Sequence, residues 1–405
     1  MGDQARAAGQ INGAQEVHAG TDNITSDPLL VVDYYLSKTG LTGQDSDSPC
    51  IDAGSAVAGT YGLSGKTTRT DGTTEGATTV DRGYHYDDGS QSSASNLVLY
   101  VDAGVLGDDT NNGLTAGTPF KTLGKALEQA VRGCVIHVAA GAYDTGNETF
   151  PLTIQDTQVT IQGTNRATTI VRGDQTTRLI ESANKVLTLS GLTLEDGKVT
   201  EANGGALYVQ GGVLTITNCL FQDNQTYTST IQDKKIYGGA LYVDGAVVSI
   251  VDSEFRQNKS LAERTRTYAY GGALHQVDGS LSVAGCTFAD NRNMGLNNCW
   301  QWFYGGAVSL VDVDSLFTNT LFVGNYCKPG GNRLAQPGQN RGGAVYMSGG
   351  SATIDLCTFT TNYLTGFGST YLYGYGGSIY AEDVSSLAVR ECGFSDSSIL
   401  GTDPT

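Results

Sequence analysis

Catalysis or metal binding needs titratable side chains gathered at one place, and few sets in this sequence have the spacing for it. The four histidines, His18, His85, His137 and His275, are far apart and none belongs to a His-x-x-x-His ligand pair, so each reads as structural or exposed. Asp108 to Gly113 suggests half of a calcium loop, but Thr110 and Asn112 stand where stronger ligands are needed and no glutamate follows at the twelfth position. Side-chain turns of the Asx type account better for that stretch. Asp52, Asp71 and Asp81 lie in a glycine-rich, turn-rich region and are the candidate calcium ligands, although a hydrogen-bonded turn network is the favoured reading. No cofactor is required by any of these residues. The eight cysteines contain no Cys-x-x-Cys pair of the kind that holds zinc.

Binding chemistry is better represented. Tyr268, Tyr270, Trp300, Trp302, Tyr304, Tyr371, Tyr373 and Tyr375 crowd into three short segments and form an amphipathic surface suited to a glycan or a protein. Some tyrosines directly precede a glycine doublet, where a stacked structural ladder is the competing reading. The formal charge of −17 opposes a nucleic-acid or anionic-membrane partner. No stretch approaches the ~20 apolar residues of a membrane helix, so no direct membrane insertion is expected of this chain.

The aromatic segments recur because the sequence around them repeats. Glycine pairs at Gly204-Gly205, Gly238-Gly239, Gly271-Gly272, Gly305-Gly306, Gly342-Gly343 and Gly376-Gly377 follow one another every 33 to 37 residues. Phe221, Phe255, Phe288, Phe322, Phe359 and Phe394 come 17 residues after each pair begins, or 18 in the last case. Three residues further on stand Asn224, Asn258, Asn291, Asn325 and Asn362, with Ser397 in the sixth copy. Two residues before each phenylalanine is Cys219, Ser253, Cys286, Thr320, Cys357 or Cys392, always small. The segments between are short, β-rich and without a helical stripe. About three strands per repeat are expected, and a unit that size buries its apolar face only against its neighbours. Parallel pairing between successive units gives a β-helix, with Leu207, Leu241, Leu274, Val308, Val345 and Ile379 inward, phenylalanines stacked and asparagines hydrogen-bonded along the axis. Cys357 and Cys392 then read as stacked free thiols, and Cys299 with Cys327 as the better disulfide candidate.

Gly-Gly-Ala-Leu-Tyr-Val followed by Phe-Gln-Asp-Asn, with its five relatives, resembles the repeats of chlamydial-type polymorphic outer membrane proteins, within the pectin-lyase-like superfamily. The match covers about residues 201–400 and is degenerate at Gly377-Ser378 and from Phe394 to Ser397. It implies an all-β, right-handed parallel β-helix, or solenoid, with an extracellular or cell-surface location and a role in adhesion to a host or neighbouring-cell protein or glycan. Pectate lyases of this class use Asp-bound calcium and a basic residue on the outer face. The corresponding positions here are Tyr, Ser, Thr and Asn more often than Asp or Lys, which disfavours a polysaccharide lyase or hydrolase.

Residues 97–200 resemble the opening segment and first coils of the same class, on Val98 to Asp102, Gly107 to Gly113, Thr118 to Leu123 and Ile136 to Tyr143. Thr122 to Ala130 reads as a short N-terminal capping helix with Leu123, Ala126, Leu127 and Ala130 on one face. Residues 27–90 resemble the closing segment of such a helix, placed before the opening one, and 1–26 read as a linker or incomplete segment. That order suggests a fragment of a longer tandem array, or, less favoured, head-to-tail self-association into a filament.

Overall fold

The computed structural model describes residues 97–230, 233–263, 266–296, 301–330, 339–365 and 373–400, together with the backbone of four two-residue strands. The chain divides into Met1–Ser95 and Asn96–Thr405. In the first unit, Leu30–Val31 pairs with Tyr35–Leu36 and Lys66–Thr67 with Tyr86–Asp87, both antiparallel. The rest of the segment 27–90 lies outside the described residues.

The described residues of the second unit form a parallel β-helix, right-handed as crossovers between parallel strands of one sheet are. The repeat around Gly204 shows the plan. Leu207–Gln210 and Val213–Thr217 enter a 16-stranded sheet, Leu220–Gln222 a nine-stranded sheet, Gln225–Thr228 a seven-stranded sheet and Lys234–Tyr237 a five-stranded sheet. The repeats at Gly204, Gly305 and Gly342 therefore hold five strands where three were expected, and those at Gly238 and Gly271 hold four because their first two are one continuous strand, Leu241–Val251 and Leu274–Ala284. The two extra strands come from the stretch between the asparagine and the next glycine pair, which the sequence marks only by variable length. Register is exact in type: Leu207 faces Leu241, which faces Leu274, then Val308, Val345 and Ile379.

Four corners in each repeat have a left-handed backbone, the one after the first strand falling at Gly211, Gly245, Asp278, Asp312, Gly349 and Asp383, and this dictates residue type. Gly204, Gly238, Gly271, Gly305, Gly342 and Gly376 have φ between 59° and 69°. The second glycine is required by space: a Cβ on Gly239 would lie 2.0 Å from the Gly272 carbonyl oxygen of the next coil. The corner before the asparagine is taken by Asp223, Gln257, Asp290, Gly324 and Thr361, with Asp196 and Asp396 before its counterparts Gly197 and Ser397, and the corner before the small residue by Asn218, Asp252, Gly285, Asn319, Leu356 and Glu391. Asp and Asn tolerate this conformation better than other side chains.

The phenylalanines stack with centroids 4.7 to 5.0 Å apart from Phe221 to Phe394. Beside them the asparagines form a continuous buried ladder. Asn291 Nδ2 donates to Phe255 O at 2.8 Å and to Asn325 Oδ1 at 3.0 Å, while its own Oδ1 accepts from the Asn258 amide at 3.1 Å and Nδ2 at 3.0 Å. The small-residue column needs more than small size. Ser253 Oγ donates to Val251 O at 2.8 Å and accepts from the Cys219 amide at 3.1 Å, and Thr320 and the cysteines make the same donation to the carbonyl two residues back. A Ser, Thr or Cys is needed because one heteroatom on Cβ reaches that carbonyl. Burial pushes the Cys219, Cys286 and Cys357 thiols up to about 11, so they stay protonated. Cys357 and Cys392 are free thiols, and so is Cys327, whose buried thiol donates to Gly342 O at 3.7 Å and accepts from Asn293 Nδ2 at 3.8 Å; Cys299, expected as its partner, lies outside the described residues.

The first coil is closed by one helix, Leu123–Gln129, with Leu123, Ala126 and Leu127 buried and Thr122 accepting the Lys125 amide at 3.0 Å. The Glu148 carboxyl is buried beneath its first turn and accepts the Leu123 amide at 2.6 Å and the Gly124 amide at 3.1 Å. Burial raises its pKa from 4.5 to about 7 against the pull of those amides.

Two outcomes follow from this framework. Replacing Asn291 by Ala leaves a buried carbonyl and two buried N–H groups without partners, and should cost on the order of 3 kcal/mol or more in urea unfolding. The folded chain holds the Glu148 proton to a higher pH than the unfolded chain, so this group's stabilisation is complete below pH 4.5 and is lost as pH rises to about 7. Glu148→Gln should remove that component from the fall in Tm between pH 5 and pH 7.5.

Candidate functional site

The aromatic segments form the five-stranded sheet, which runs Lys234–Tyr237, Thr267–Tyr270, Gln301–Tyr304, Gln339–Arg341 and Tyr373–Tyr375. Its inner face packs on the seven-stranded sheet through a second apolar cluster of Ile236, Ala262, Ala269, Phe303, Cys327 and Leu364. Polar side chains finish that interface: Thr226 Oγ1 donates to Ser260 Oγ at 2.9 Å, and Asn293 Nδ2 to the carbonyls of Tyr304 and Gly305 at 3.1 and 2.9 Å. Where they are described, the stretches between each asparagine and the next glycine pair are thus largely a packed β-layer.

Two columns make up the outer face. Tyr237, Tyr270, Tyr304, Arg341 and Tyr375, directly before the glycine pairs, share one register. Tyr237, Tyr270 and Tyr304 stack at 5.0 and 4.5 Å and lean into the corner with the 16-stranded sheet. That sheet presents Tyr208, Tyr242, His275, Ser309, Tyr346 and Tyr380 in a matching column. His275 sits among the rings of Tyr237, Tyr242 and Tyr270 at 4.6, 5.8 and 5.6 Å, with Nδ1 3.1 Å from Ser309 Oγ. Burial drives its pKa down to about 3, so the imidazole is neutral. The same desolvation raises the phenol of Tyr242 to about 12 and pushes Tyr270 up as well.

One arginine closes the start of this aromatic corner, and a second stands within it, before the last ring pair of Tyr375 and Tyr380. Arg178 lies 4.9 Å over Tyr208, pairs with Glu181 and donates to the Gly204 and Asn203 carbonyls at 3.0 and 2.7 Å. Arg341 lies 5.7 Å over Tyr304 and 5.2 Å over Tyr380 and pairs with Glu382, which also accepts the Tyr346 hydroxyl at 2.7 Å. The position just after each inward aliphatic residue carries this column, so its aromatic repeat was readable at the repeat period; that it folds against the tyrosines preceding the glycines was not.

The second outer column, Lys235, Tyr268, Trp302 and Gln339, stands farther from the corner. Tyr268 and Trp302 stack at 4.6 Å and 12° and are half-buried, their rings held by each other and by the strands beneath. Tyr375 is exposed at the end of the inner column. Trp300 and Tyr371 lie outside the described residues, as does the side chain of Tyr373. Asp52, Asp71 and Asp81 lie outside them too. Among the described residues, no group of three or more His, Cys, Asp or Glu could hold a metal ion. Asp108 Oδ1 accepts the Thr110 amide and hydroxyl, both at 2.8 Å, and Asn112 Oδ1 the Leu114 amide at 3.0 Å, which is the Asx-turn arrangement.

Residues 105–299 match a family described as a protein of unknown function (DUF1565). No curated protein matches the chain. Among solved structures it is similar to the crystal structure of pectate lyase Pel9A, 14% identical over 71% of this chain and 78% of that one, with a TM-score of 0.35. A rhamnogalacturonan lyase is also 14% identical, over 66% of this chain and 74% of that one, with a TM-score of 0.24.

The buried neutral histidine sets an acid limit on this layer. Its folded pKa lies below the unfolded value of 6.5, so its contribution to stability is present above pH 6.5 and is lost as pH falls towards 3. His275→Tyr, which restores the residue type of the neighbouring coil, should shift the midpoint of acid unfolding to lower pH, followed by circular dichroism.

Proposed function

We propose that the chain is an extracellular or cell-surface β-helix scaffold for adhesion, binding a glycan or protein of a host or neighbouring cell through the outer face of its five-stranded sheet. The observation that carries this reading is the half-exposed Tyr268–Trp302 stack. Its rings are fixed by parallel strands, so little side-chain entropy is lost when a ligand docks on them. Stacked aromatic rings offer a flat apolar face to sugar C–H groups or to an apolar side chain, and Lys235 and Gln339 flank them in the same column with polar ends. Tyr270 and Tyr304, pressed into the corner, support the platform rather than present it. Surface location rests on the repeat resemblance, as does the kind of partner.

Retention on immobilised neutral and acidic polysaccharides and on cell-surface protein extracts tests the reading. Trp302→Ala should weaken retention at least tenfold, equivalent to about 1.4 kcal/mol, with its Tm little changed. Tyr304→Ala should instead lower Tm. Retention that survives Trp302→Ala would remove the platform from the binding surface, and release of new chain ends by the native protein would replace the scaffold reading with a lyase.

A further inference from the structure

At the other end of the helix, the outer face of the 16-stranded sheet carries a cleft of about 490 Å³. Tyr100, His137 and Gln162 occupy one register column on three successive strands and form its floor. The Tyr100 and His137 rings stack at 5.5 Å and 29°. Asp102, Ala116 and Pro119 supply the wall. Hydrogen bonds set that wall in place: the Asn111 side-chain Nδ2 donates to Pro119 O at 2.8 Å, and the Asp102 backbone amide to Phe120 O at 2.9 Å. Below it, the Tyr143 hydroxyl donates to Ala139 O at 3.0 Å and accepts the Ala103 amide at 3.3 Å.

Charge decides what fits. Among the described residues lining the cleft, Asp102 carries the only formal charge, and the rest are aromatic, amide, hydroxyl or apolar. Asp102 Oδ1 accepts the Gly104 amide at 2.7 Å, while Oδ2 has no partner among the described residues. An anion would meet this carboxylate and a chain charge of −17. A neutral ring would use the floor but leave the carboxylate idle. We propose that the cleft binds an organic ammonium group, which the Tyr100 ring meets by cation–π attraction and Asp102 by direct pairing, with the His137 ring extending the floor beside Tyr100. Pro119 and Ala116 cover the adjoining methylenes. A lysine side chain of a partner protein and a free alkylamine share this chemistry. The site shares no residue with the Tyr268–Trp302 platform and does not depend on its role.

Calorimetric titration of the full chain with n-butylammonium, Nα-acetyl-lysine amide, a lysine-containing peptide and, as the neutral isostere, n-butanol tests the assignment. The ammonium probes should bind saturably and n-butanol should not. Asp102→Asn keeps the acceptor for Gly104 and should weaken binding at least tenfold. Ala116→Trp, at an exposed position, should block the cleft and serves as the second variant if Asp102→Asn loses its β-sheet spectrum. Tighter binding of the peptide than of n-butylammonium would identify a protein lysine, and equal affinities a free amine. No saturable ammonium binding, equal affinity for n-butanol, or wild-type affinity in folded variants would overturn the proposal.

Discussion

Parallel, in-register hydrogen bonding between coils is the constraint from which the rest of this molecule follows. Strands about 4.8 Å apart place each side chain directly beside its counterpart one coil on. Only residues that gain by meeting their own kind are stable there. Phenylalanine gains by offset stacking. Asparagine gains because it carries donor and acceptor together and hands each to a neighbour, as Asn258, Asn291 and Asn325 do. A buried column of like charges would be costly, so the interior columns are aliphatic, aromatic, amide or hydroxyl.

Charge is displaced to the corners by the same geometry. Asp196, Asp223, Asp252, Asp290, Asp312 and Asp383 all stand at left-handed positions, where their short polar side chains are tolerated. A share of the acidic excess is therefore turn chemistry. It needs no cationic ligand to explain it, in contrast to the carboxylate of Asp102, which faces a cleft.

The stacking rule also reaches outward beyond the main core. Once the glycine pairs and asparagines of adjacent repeats are in register, the chain leaving one and approaching the other is in register too, and it pairs. This turns variable segments into a layer with its own core, and puts Tyr268 and Trp302 on rigid strands. The cost is a crowded corner, resolved by aromatic packing around a neutral His275 and by the Arg178–Glu181 and Arg341–Glu382 pairs set against its rings.

The repeat by itself determined the parallel β-helix, the inward aliphatic column and the phenylalanine stack, and the stripe of Leu123, Ala126 and Leu127 the capping helix, because each depends on residue type at a fixed spacing, and spacing is written in the chain. The two strands after each asparagine were not legible, since insertions between Asn224 and Gly238 or their equivalents obscure any period, and pairing there is imposed by neighbours rather than by local propensity. The role of Cys219, Ser253 and Thr320 was half legible: small size is visible in sequence, but the carbonyl two residues back comes within reach only at the bent corner. Tertiary structure alone decided which tyrosines are packed and which are presented, because Tyr268 and Tyr270 share a strand and a face and differ only in distance from the 16-stranded sheet. It alone brought Tyr100, Asp102, His137 and Gln162 together, since they belong to the non-repeating first coils, where no recurring position announces a shared surface.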